Sequence, residues 1–316
     1  MSRPATPPVA PRPDLASVPG LPFDVHHVAV DDQVMAYLDV PPAAGAAHPP
    51  VVLVHGNPSW SFLWRSLLGP LAADGRRALA PDHVGMGRSS SPSVAAYPYT
   101  LARRTRDLGR WFDAVLPADE APQVDLVVHD WGGATALGWA VQHPDRVRRI
   151  VLLNTSAQPL PEGTALPWHL RLTRTWPVGD VLTLRANAFA RGATVLGTAH
   201  RMDASARAGL LAPYDTPEHR VGVLEFVKDV PDGPGHRSYQ DLRRTGDRLH
   251  LLADRPVLVC WGTKDPVLDV RVLGQWESTW PQAQVHRFDD AGHYVLEDAA
   301  DRVVPLVREF LAAGPA

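Results

Sequence analysis

A chain of 316 residues, 45% of them hydrophobic, is long enough to bury one large core together with an inserted segment. The formal net charge of -3 gives no electrostatic reason to expect a nucleic acid or an anionic membrane as partner. The single cysteine, Cys260, excludes a disulfide or a cysteine metal site within the chain, and no apolar run is long enough to predict a membrane-spanning helix. We therefore expect a cytoplasmic protein.

The first residues are rich in proline and alanine, MSRPATPPVAPRPDLASVPG. They lack the continuous apolar region of a signal peptide and predict a flexible tail over residues 1–20. The next two segments, FDVHHVAV and QVMAYLDV, flank a turn at Asp31 and Asp32. Together they predict an antiparallel hairpin.

Short apolar segments then alternate with helix patterns. They predict strands at residues 51–56, 77–82, 124–130, 147–155, 256–262 and 283–290. Continuous apolar runs such as VVLV and LVV are expected where helices cover both faces of a parallel sheet. Apolar residues recur with the spacing of a helix at residues 100–116, 132–144 and 299–313, which predicts three helices. Thr100 is the expected N-cap of the first helix. The pattern is that of a doubly wound α/β protein.

Residues 156–250 break this alternation, because they contain no clear buried strand. The segment is rich in arginine, leucine, alanine and aromatic residues, with helix-like pieces such as PWHLRLTR and DVLTLRANAFARGA. We expect a helical cap at 156–250, inserted into a core formed by residues 21–155 and 251–316. The alternative is a helical excursion that packs beside the sheet without a function.

Three residues with catalytic chemistry follow predicted strands. Ligands of open parallel sheets bind beyond the carboxyl ends of the strands, where this sequence has Asp130, Asp265 and His293. They supply a nucleophile, an acid and a base in the chain order typical of α/β-hydrolases. Asp269, four residues beyond Asp265, is the alternative acid.

Asp130 lies in VVHDWGGA, at a sharp turn after an apolar strand. A carboxylate can attack an electrophilic carbon without first losing a proton, and it then forms an ester. The alternative role of Asp130 is to cap the following helix. His293 can accept a proton from water near neutral pH, or can be a hydrogen-bonded loop residue, and Asp265 would orient its ring.

Residues 21–316 resemble the α/β-hydrolase fold, with a mostly parallel sheet, flanking helices and an inserted helical cap. The segments HGNPSW, HDWGG, PDHVGMGRS and DAGHYVLED are similar to the branch with an aspartate nucleophile, which includes haloalkane dehalogenases and epoxide hydrolases. The resemblance implies that Asn57 and Trp131 stabilise an oxyanion or a leaving group, although Trp131 can also be a packing residue. Some dehalogenases have the acid after the sixth strand, where this chain has the uncharged Asn154.

Within this branch, the chain resembles the third dehalogenase subfamily and, over longer stretches, the β-lactone decarboxylases of long-chain olefin biosynthesis. The stretches VLLNTSAQPLP, NAFARGA and LLAPYDTPEHR carry this resemblance into the cap. It implies that a cis-3,4-dialkyl β-lactone is converted without a cofactor into a cis-alkene and carbon dioxide. Apolar cap residues would contact the alkyl chains: Leu166, Trp168, Leu170, Leu172, Trp176 and Phe189.

Other functions stay open at this stage. The chain can be a haloalkane dehalogenase that forms an alkyl ester on Asp130, an epoxide hydrolase that uses Tyr214 and Tyr239, or a non-catalytic binding protein. The HGNP segment argues against the epoxide hydrolase. We expect an apolar small molecule as substrate, no nucleic acid, no integral membrane segment and no metal. An assembly with other enzymes of an olefin pathway is compatible with a water-insoluble substrate.

Overall fold

The computed structural model of this chain describes residues 12, 15, 17–43, 45 and 48–313. An antiparallel hairpin opens the fold, in which β1 (Val25–Val30) pairs with β2 (Gln33–Val40). Six further strands follow: β3 (Val51–Val54), β4 (Ala78–Pro81), β5 (Val124–Asp130), β6 (Val147–Thr155), β7 (Val257–Gly262) and β8 (Gln284–Phe288). The predicted hairpin and all six predicted strands are confirmed.

The eight strands form one sheet in the order β1-β2-β4-β3-β5-β6-β7-β8. β2 is antiparallel to β4, whereas β3 to β8 are parallel to one another. Successive residues of β5 face opposite sides, so Leu126 and Val128 join one hydrophobic cluster and Val127 joins another. Because both faces are covered, the central strands read as continuous apolar runs.

Helices cover both faces of the sheet. In the first part of the core they are α1 (Arg65–Ala73), α2 (Leu101–Val115) and α3 (Trp131–Ala140). Residues 156–250 contain α4 (Trp168–Arg174), α5 (Val178–Asp180), α6 (Ala188–Leu196), α7 (Ala204–Leu211), α8 (Val221–Lys228) and α9 (Tyr239–Gly246). A π-helical turn, Val181–Arg185, joins α5 to α6. The core ends with α10 (Val270–Thr279), α11 (Val295–Asp298) and α12 (Ala300–Ala312).

The predicted start of α2 is confirmed, because the Thr100 hydroxyl accepts a hydrogen bond from the Arg103 backbone N–H at 3.2 Å. The sequence analysis did not predict α1 or α10. In α1, the interior Pro70 obscures the pattern. Among the described residues, no helix is both long and apolar enough to cross a membrane.

The N-terminal segment differs from its prediction. The expected flexible tail, 1–20, lies largely outside the described residues, but its described part is docked. Leu15 and Val18 are buried in the same cluster as Phe62, and the Leu15 carbonyl accepts a hydrogen bond from Arg88 at 2.8 Å. The guanidinium of Arg12 donates to the carbonyl of Pro213 at 3.0 Å. For these residues the expectation of flexibility is corrected, because apolar side chains spaced three apart find a hydrophobic surface to cover.

A buried ion pair connects the core to residues 156–250. Arg104 of α2 donates to Asp229, which follows α8, at 2.6 Å, and neither side chain is exposed to solvent. Asp229 also accepts hydrogen bonds from Arg237 at 2.8 Å and from Ser238 at 2.7 Å. The loop that follows α8 is thereby joined to α2.

Candidate active site

Asp130 lies at a sharp turn between β5 and α3. Its backbone has φ 51 and ψ -125, a conformation that is rare outside glycine. A Cβ on Gly132 would lie 1.9 Å from the Val54 carbonyl oxygen, and one on Gly133 would lie 1.9 Å from the Thr155 hydroxyl. Only glycine fits at these two positions, which lets α3 begin directly beneath the turn. Asp130 occupies the N-cap position of α3, but its side chain makes no capping hydrogen bond.

The carboxylate of Asp130 is held by backbone groups. The Oδ1 atom of this carboxylate accepts a hydrogen bond from the Asn57 backbone N–H at 2.7 Å. The backbone carbonyl of Asp130 accepts a hydrogen bond from the Thr155 hydroxyl at 2.6 Å. Burial raises the pKa of Asp130, and this is opposed by His293 and by the backbone N–H groups of Asn57 and Trp131. The Asp130 carboxylate is therefore largely withdrawn from water, yet it has several groups nearby that favour its charge.

His293 lies between the two aspartates. Its Nδ1 donates to Asp265 Oδ2 at 2.7 Å, and its Nε2 is 3.6 Å from Asp130 Oδ2. Burial alone would lower the pKa of His293, but Asp265 and Asp130 outweigh it and raise the pKa to about 9. The imidazole is therefore mostly protonated at neutral pH. The structure brings together the three residues that the sequence places far apart.

Asp265 is fixed on both oxygens. Its Oδ1 accepts hydrogen bonds from the backbone N–H groups of Val267 at 2.7 Å and Leu268 at 3.0 Å. The alternative acid, Asp269, instead pairs with Arg271 at 2.6 Å and caps α10 at the protein surface. Of the two candidate acids, only Asp265 contacts His293.

Asn154 was missed as a positioning residue. Its Nδ2 donates to Asp265 Oδ2 at 2.9 Å and to the Gly262 carbonyl at 3.0 Å, while its Oδ1 accepts from the Gly262 backbone N–H at 2.8 Å. It thus ties the end of β6 to the end of β7 and to the acid. The signal in the sequence was an amide side chain at a strand end, next to the strand that precedes Asp265.

Asn57 and Trp131 both lie beside Asp130. The Asn57 Nδ2 donates to the Val223 carbonyl of α8 at 3.1 Å, and its Oδ1 is buried without a hydrogen-bond partner in the described structure. The Trp131 ring packs edge-on against Phe226 at 6.2 Å, and the Arg104 guanidinium lies 4.6 Å from its centroid. Trp131 is therefore a packing residue and also a wall of the space around Asp130.

Two cavities extend from Asp130, one of about 1070 Å³ and one of about 230 Å³. Both are lined by Asp130, Trp131, Leu170, Val230 and Val267. The smaller cavity has a mainly apolar far wall that includes Leu172, Leu182, Phe189, Ala193 and Leu196. The larger cavity runs between residues 159–167 and 231–234. The two cavities therefore meet at the Asp130 carboxylate.

Most of the cap residues that were expected to contact alkyl chains line these cavities. Leu166 lines the larger cavity, Trp168, Leu172 and Phe189 line the smaller one, and Leu170 lines both. Trp176 lines neither and is 79% exposed, so the expectation for this residue was wrong. Trp176 projects into solvent instead of facing the site.

The two cap tyrosines lie in different environments. The Tyr214 hydroxyl is buried and donates to the Ser59 carbonyl at 3.1 Å, and this residue lines neither cavity. Tyr239 lines the larger cavity. The pair of tyrosines that an epoxide hydrolase needs near its nucleophile is therefore not assembled by these two residues.

Three further histidines lie at the strand ends. The His55 ring bonds the Gly56 carbonyl at 2.8 Å, the His83 ring bonds the His55 carbonyl at 2.8 Å, and the His129 ring bonds the His293 carbonyl at 3.0 Å. Burial lowers the pKa of each ring, which keeps it neutral. Over the described residues, no group of three or more metal-binding side chains is placed to hold a metal ion.

Comparison with known proteins agrees with this geometry. Residues 49–300 match the family model of the alpha/beta hydrolase fold, and the chain belongs to this family. A cis-3-alkyl-4-alkyloxetan-2-one decarboxylase of Xanthomonas campestris pv. campestris is 40% identical over 286 residues, which cover 89% of this chain and 93% of the relative. A protein of the same name from Shewanella oneidensis is 39% identical over 292 residues, covering 92% and 89%.

The fold is also similar to solved dehalogenase structures. A haloalkane dehalogenase from Bradyrhizobium elkani superimposes with a TM-score of 0.80 at 26% identity, covering 92% of this chain and 98% of the other. The chain is therefore related both to proteins named as decarboxylases of a cis-3-alkyl-4-alkyloxetan-2-one and to proteins named as haloalkane dehalogenases.

Proposed function

We propose that this protein decarboxylates a cis-3,4-dialkyl β-lactone to a cis-alkene and carbon dioxide, with Asp130 as nucleophile. The observation that carries the proposal is the pair of cavities that meet at Asp130. A cis-dialkyl lactone has two apolar branches on adjacent ring carbons, and each cavity takes one branch while the ring lies at the carboxylate. The decarboxylase relatives support the same substrate class.

Asp130 acts twice in this reaction. Its oxygen attacks ring carbon C4 from behind, the C4–O bond breaks, and an ester to Asp130 and a carboxylate on C3 are formed. The bond from C3 to that carboxylate then breaks, its electron pair forms the C3=C4 double bond, and Asp130 leaves as a carboxylate with release of carbon dioxide. Inversion at C4 puts the Asp130 oxygen anti to the carboxylate, so anti elimination keeps both alkyl groups cis. Water is not consumed.

The other site residues stabilise charge. The protonated His293, 3.6 Å from Asp130, favours the anionic form in which Asp130 starts and leaves, and Asp265 holds the ring in place. The backbone N–H groups of Asn57 and Trp131 favour the charge of Asp130 itself, and the indole N–H of Trp131 would stabilise the carboxylate released from the ring. In this scheme His293 is a positioned cation and does not need to activate water.

A direct assay tests the proposal. The protein is incubated with a synthetic cis-3,4-dialkyl β-lactone, and the organic extract is analysed by gas chromatography with mass detection. We expect a cis-alkene from the wild type and from Asp269→Asn, whose carboxylate lies outside the site, and none from Asp130→Asn. Recovery of intact lactone, or of the hydroxy acid alone, from the wild type would contradict the proposal.

Haloalkane dehalogenation is the second candidate, and the placement of Trp131 and Asn57 beside Asp130 favours it. In that reaction His293 must activate water on an alkyl ester of Asp130. Ester formation removes the charge of Asp130, which lowers the pKa of His293 toward the range of a base. A His293→Ala variant should then accumulate the ester, visible as an added alkyl mass on the intact protein. If bromoalkanes give neither halide release nor adduct, this candidate fails.

We also propose where the protein acts and which partners it has. A cytoplasmic location fits the absence of an apolar spanning helix in the described residues. An assembly with other enzymes of an olefin pathway would allow a water-insoluble lactone to pass between sites without crossing water.

A further inference from the structure

The cap has an unusual surface on α4, α5, the π-helical turn and α6. Ten large hydrophobic side chains are exposed among the described residues, and seven of them lie between residues 168 and 196. We call these seven the apolar cap surface: Trp168, Leu172, Trp176, Val178, Val181, Val195 and Leu196. Trp168 is 70% exposed and Trp176 is 79% exposed. Soluble monomers rarely leave such a group uncovered without a function for it.

This surface continues into the smaller cavity. Trp168, Leu172 and Leu196 are exposed to solvent and also line that cavity, so the cavity reaches the surface among these side chains. α4 packs against α5, and the π-helical turn packs against both α5 and α6, which keeps the apolar side chains on adjoining elements. A molecule at this surface therefore has a direct apolar route toward Asp130.

The same elements carry positive charge. Residues 166–197 contain four arginines and a single acidic residue, Asp180, which pairs with Lys228 at 3.1 Å. Arg171, Arg185 and Arg191 are exposed, and none of the ion pairs found in the described structure involves them. The whole chain has a net charge of -3, but these residues carry a local excess of positive charge. This face can therefore attract an anionic membrane, although the net charge alone gave no reason to expect one.

We propose that the apolar cap surface docks on an anionic lipid surface. Exposed tryptophan prefers the interface between water and lipid, aliphatic side chains enter the acyl boundary, and arginine is attracted by anionic headgroups. α4, the π-helical turn and α6 together carry all three components, and three of the apolar side chains line the mouth of the smaller cavity. The smaller cavity then opens toward the acyl chains, where a long-chain lactone dissolves. That last step rests on the proposed function, whereas the docking itself does not.

Vesicle flotation tests the docking. Purified full-length protein is mixed with vesicles of phosphatidylcholine alone, or of phosphatidylcholine with phosphatidylglycerol, at increasing NaCl. We expect the wild type to float with the anionic vesicles and to be released by salt. Binding to pure phosphatidylcholine should be weaker, because the arginine contribution is lost.

Two pairs of variants separate the apolar and charged contributions. Trp176→Ser/Val181→Ser, which changes no cavity-lining residue, should weaken vesicle binding at least about tenfold. Its control, Leu251→Ser/Val270→Ser, changes exposed apolar residues elsewhere.

Arg185→Glu/Arg191→Glu should weaken binding by about 25-fold or more, since each arginine near an anionic surface contributes a factor of about five. Its control, Arg106→Glu/Arg110→Glu on α2, should bind like the wild type.

The outcomes are distinguishable. The proposal is overturned if the wild type stays with the soluble fraction at every lipid composition, or if the controls lose as much binding as the test variants. It is also overturned if Trp176→Ser/Val181→Ser abolishes a concentration-dependent dimer in sedimentation while vesicles are not bound, because the surface would then cover a second copy. Lactone turnover in detergent is measured separately, so vesicle binding without alkene would contradict only the proposed function.

Discussion

At the scale of single residues, the two oxygens of Asp265 have different partners. Oδ1 is held by two backbone N–H groups, whereas Oδ2 is shared between His293 and Asn154. The two backbone N–H groups fix where the carboxylate lies. His293 and Asn154 fix which carboxylate oxygen faces the imidazole. The carboxylate that raises the pKa of His293 is therefore held by four hydrogen bonds, and removing its charge should change a titration as well as a rate.

Asp265→Asn should change the pH profile of turnover. In the wild type, kcat/KM on the lactone should fall as the pH rises through about 9, because His293 then loses its proton. The amide removes the nearest charge that raises the pKa of His293, so the fall should begin at lower pH. The profile is measured from pH 6 to 10, with Asp269→Asn as the matched control. An unchanged alkaline limb in Asp265→Asn would contradict the assigned charge coupling.

The same pKa has a consequence for stability. A histidine whose folded pKa of about 9 exceeds its unfolded value of about 6.5 stabilises the fold fully below pH 6.5. This contribution is lost as the pH rises toward 9, so the His293 contribution to the free energy of unfolding should fall over that window. Urea unfolding of the wild type and of His293→Gln at pH 6.5 and 9 measures the difference. Parallel pH dependences in the two proteins would argue against a raised pKa.

Asn154→Ala tests the positioning role. The alanine leaves Asp265 with one donor fewer and leaves the backbone N–H and carbonyl of Gly262 without their partner. Loss of buried hydrogen bonds that include a charged group should cost about 1–3 kcal/mol of stability. A fall in kcat with little change in KM would show that the acid is displaced. If kcat falls no more than the folded fraction, the role of Asn154 is only structural.

At the scale of elements, the strands and α2 were predicted well because each had a local signal. β3, β5 and β7 are short apolar runs with turn residues after them, and Thr100 is a good N-cap. α6 is different, because it follows a π-helical turn and an Asn187 with φ 53. The helix-like segment at residues 180–193 indicated a helix but not where α6 begins, because that start depends on packing across the cap.

Gly192 of α6 offers a way to fill one cavity. It lines the smaller cavity, and a Cβ at this position meets nothing within 4 Å, so a larger side chain fits without a clash at its base. Gly192→Leu should lower kcat/KM at least about tenfold for lactones with two long chains and little for a lactone with one methyl branch. Gly274→Leu, on α10 with equally open space, is the control. An equal fall in kcat/KM for both lactones would contradict the proposal that one alkyl branch of the substrate lies in the smaller cavity.

At the scale of the whole molecule, the core and the cap meet through buried charge. Arg104 pairs with Asp229 and also lies 4.0 Å from the Phe226 ring and 4.6 Å from Trp131. One guanidinium thus links α2, the cap and Trp131, the residue next to Asp130. The pattern in the sequence located both segments but gave no sign of this contact, because the partners are 125 residues apart.

Arg104→Ala should be strongly destabilising. It leaves Asp229 with only the Arg237 cation nearby, removes a buried partner, and should cost about 3–5 kcal/mol in urea unfolding. The combined Arg104→Met/Asp229→Leu variant leaves no buried charge unpaired, because only the half-exposed Arg237 loses its partner, and it should recover much of this loss. If the double variant is no more stable than Arg104→Ala, the cost comes from lost packing and not from an unpaired charge.

The sequence predicted the sheet from local apolar runs, and it singled out the five candidate site residues, whose roles stay predictions, because each belongs to a local motif at a strand end. It did not predict Asn154 or the meeting of two cavities at Asp130. These depend on which strands are neighbours and on how cap helices lie over them. Trp176 shows the limit most clearly, since its apolar character predicted a place facing the substrate and the structure has it in solvent.

The docked N-terminal segment has a practical consequence for where the chain can be shortened. A protein that began at Leu21, where the periodic core pattern starts, would lose Leu15 and Val18 from the cluster around Phe62 and the bond from Arg12 to Pro213. Its melting temperature should fall, and hydrogen exchange should quicken around Pro213 as well as beside the cut. The autonomous folding unit thus extends upstream of its first recognisable strand.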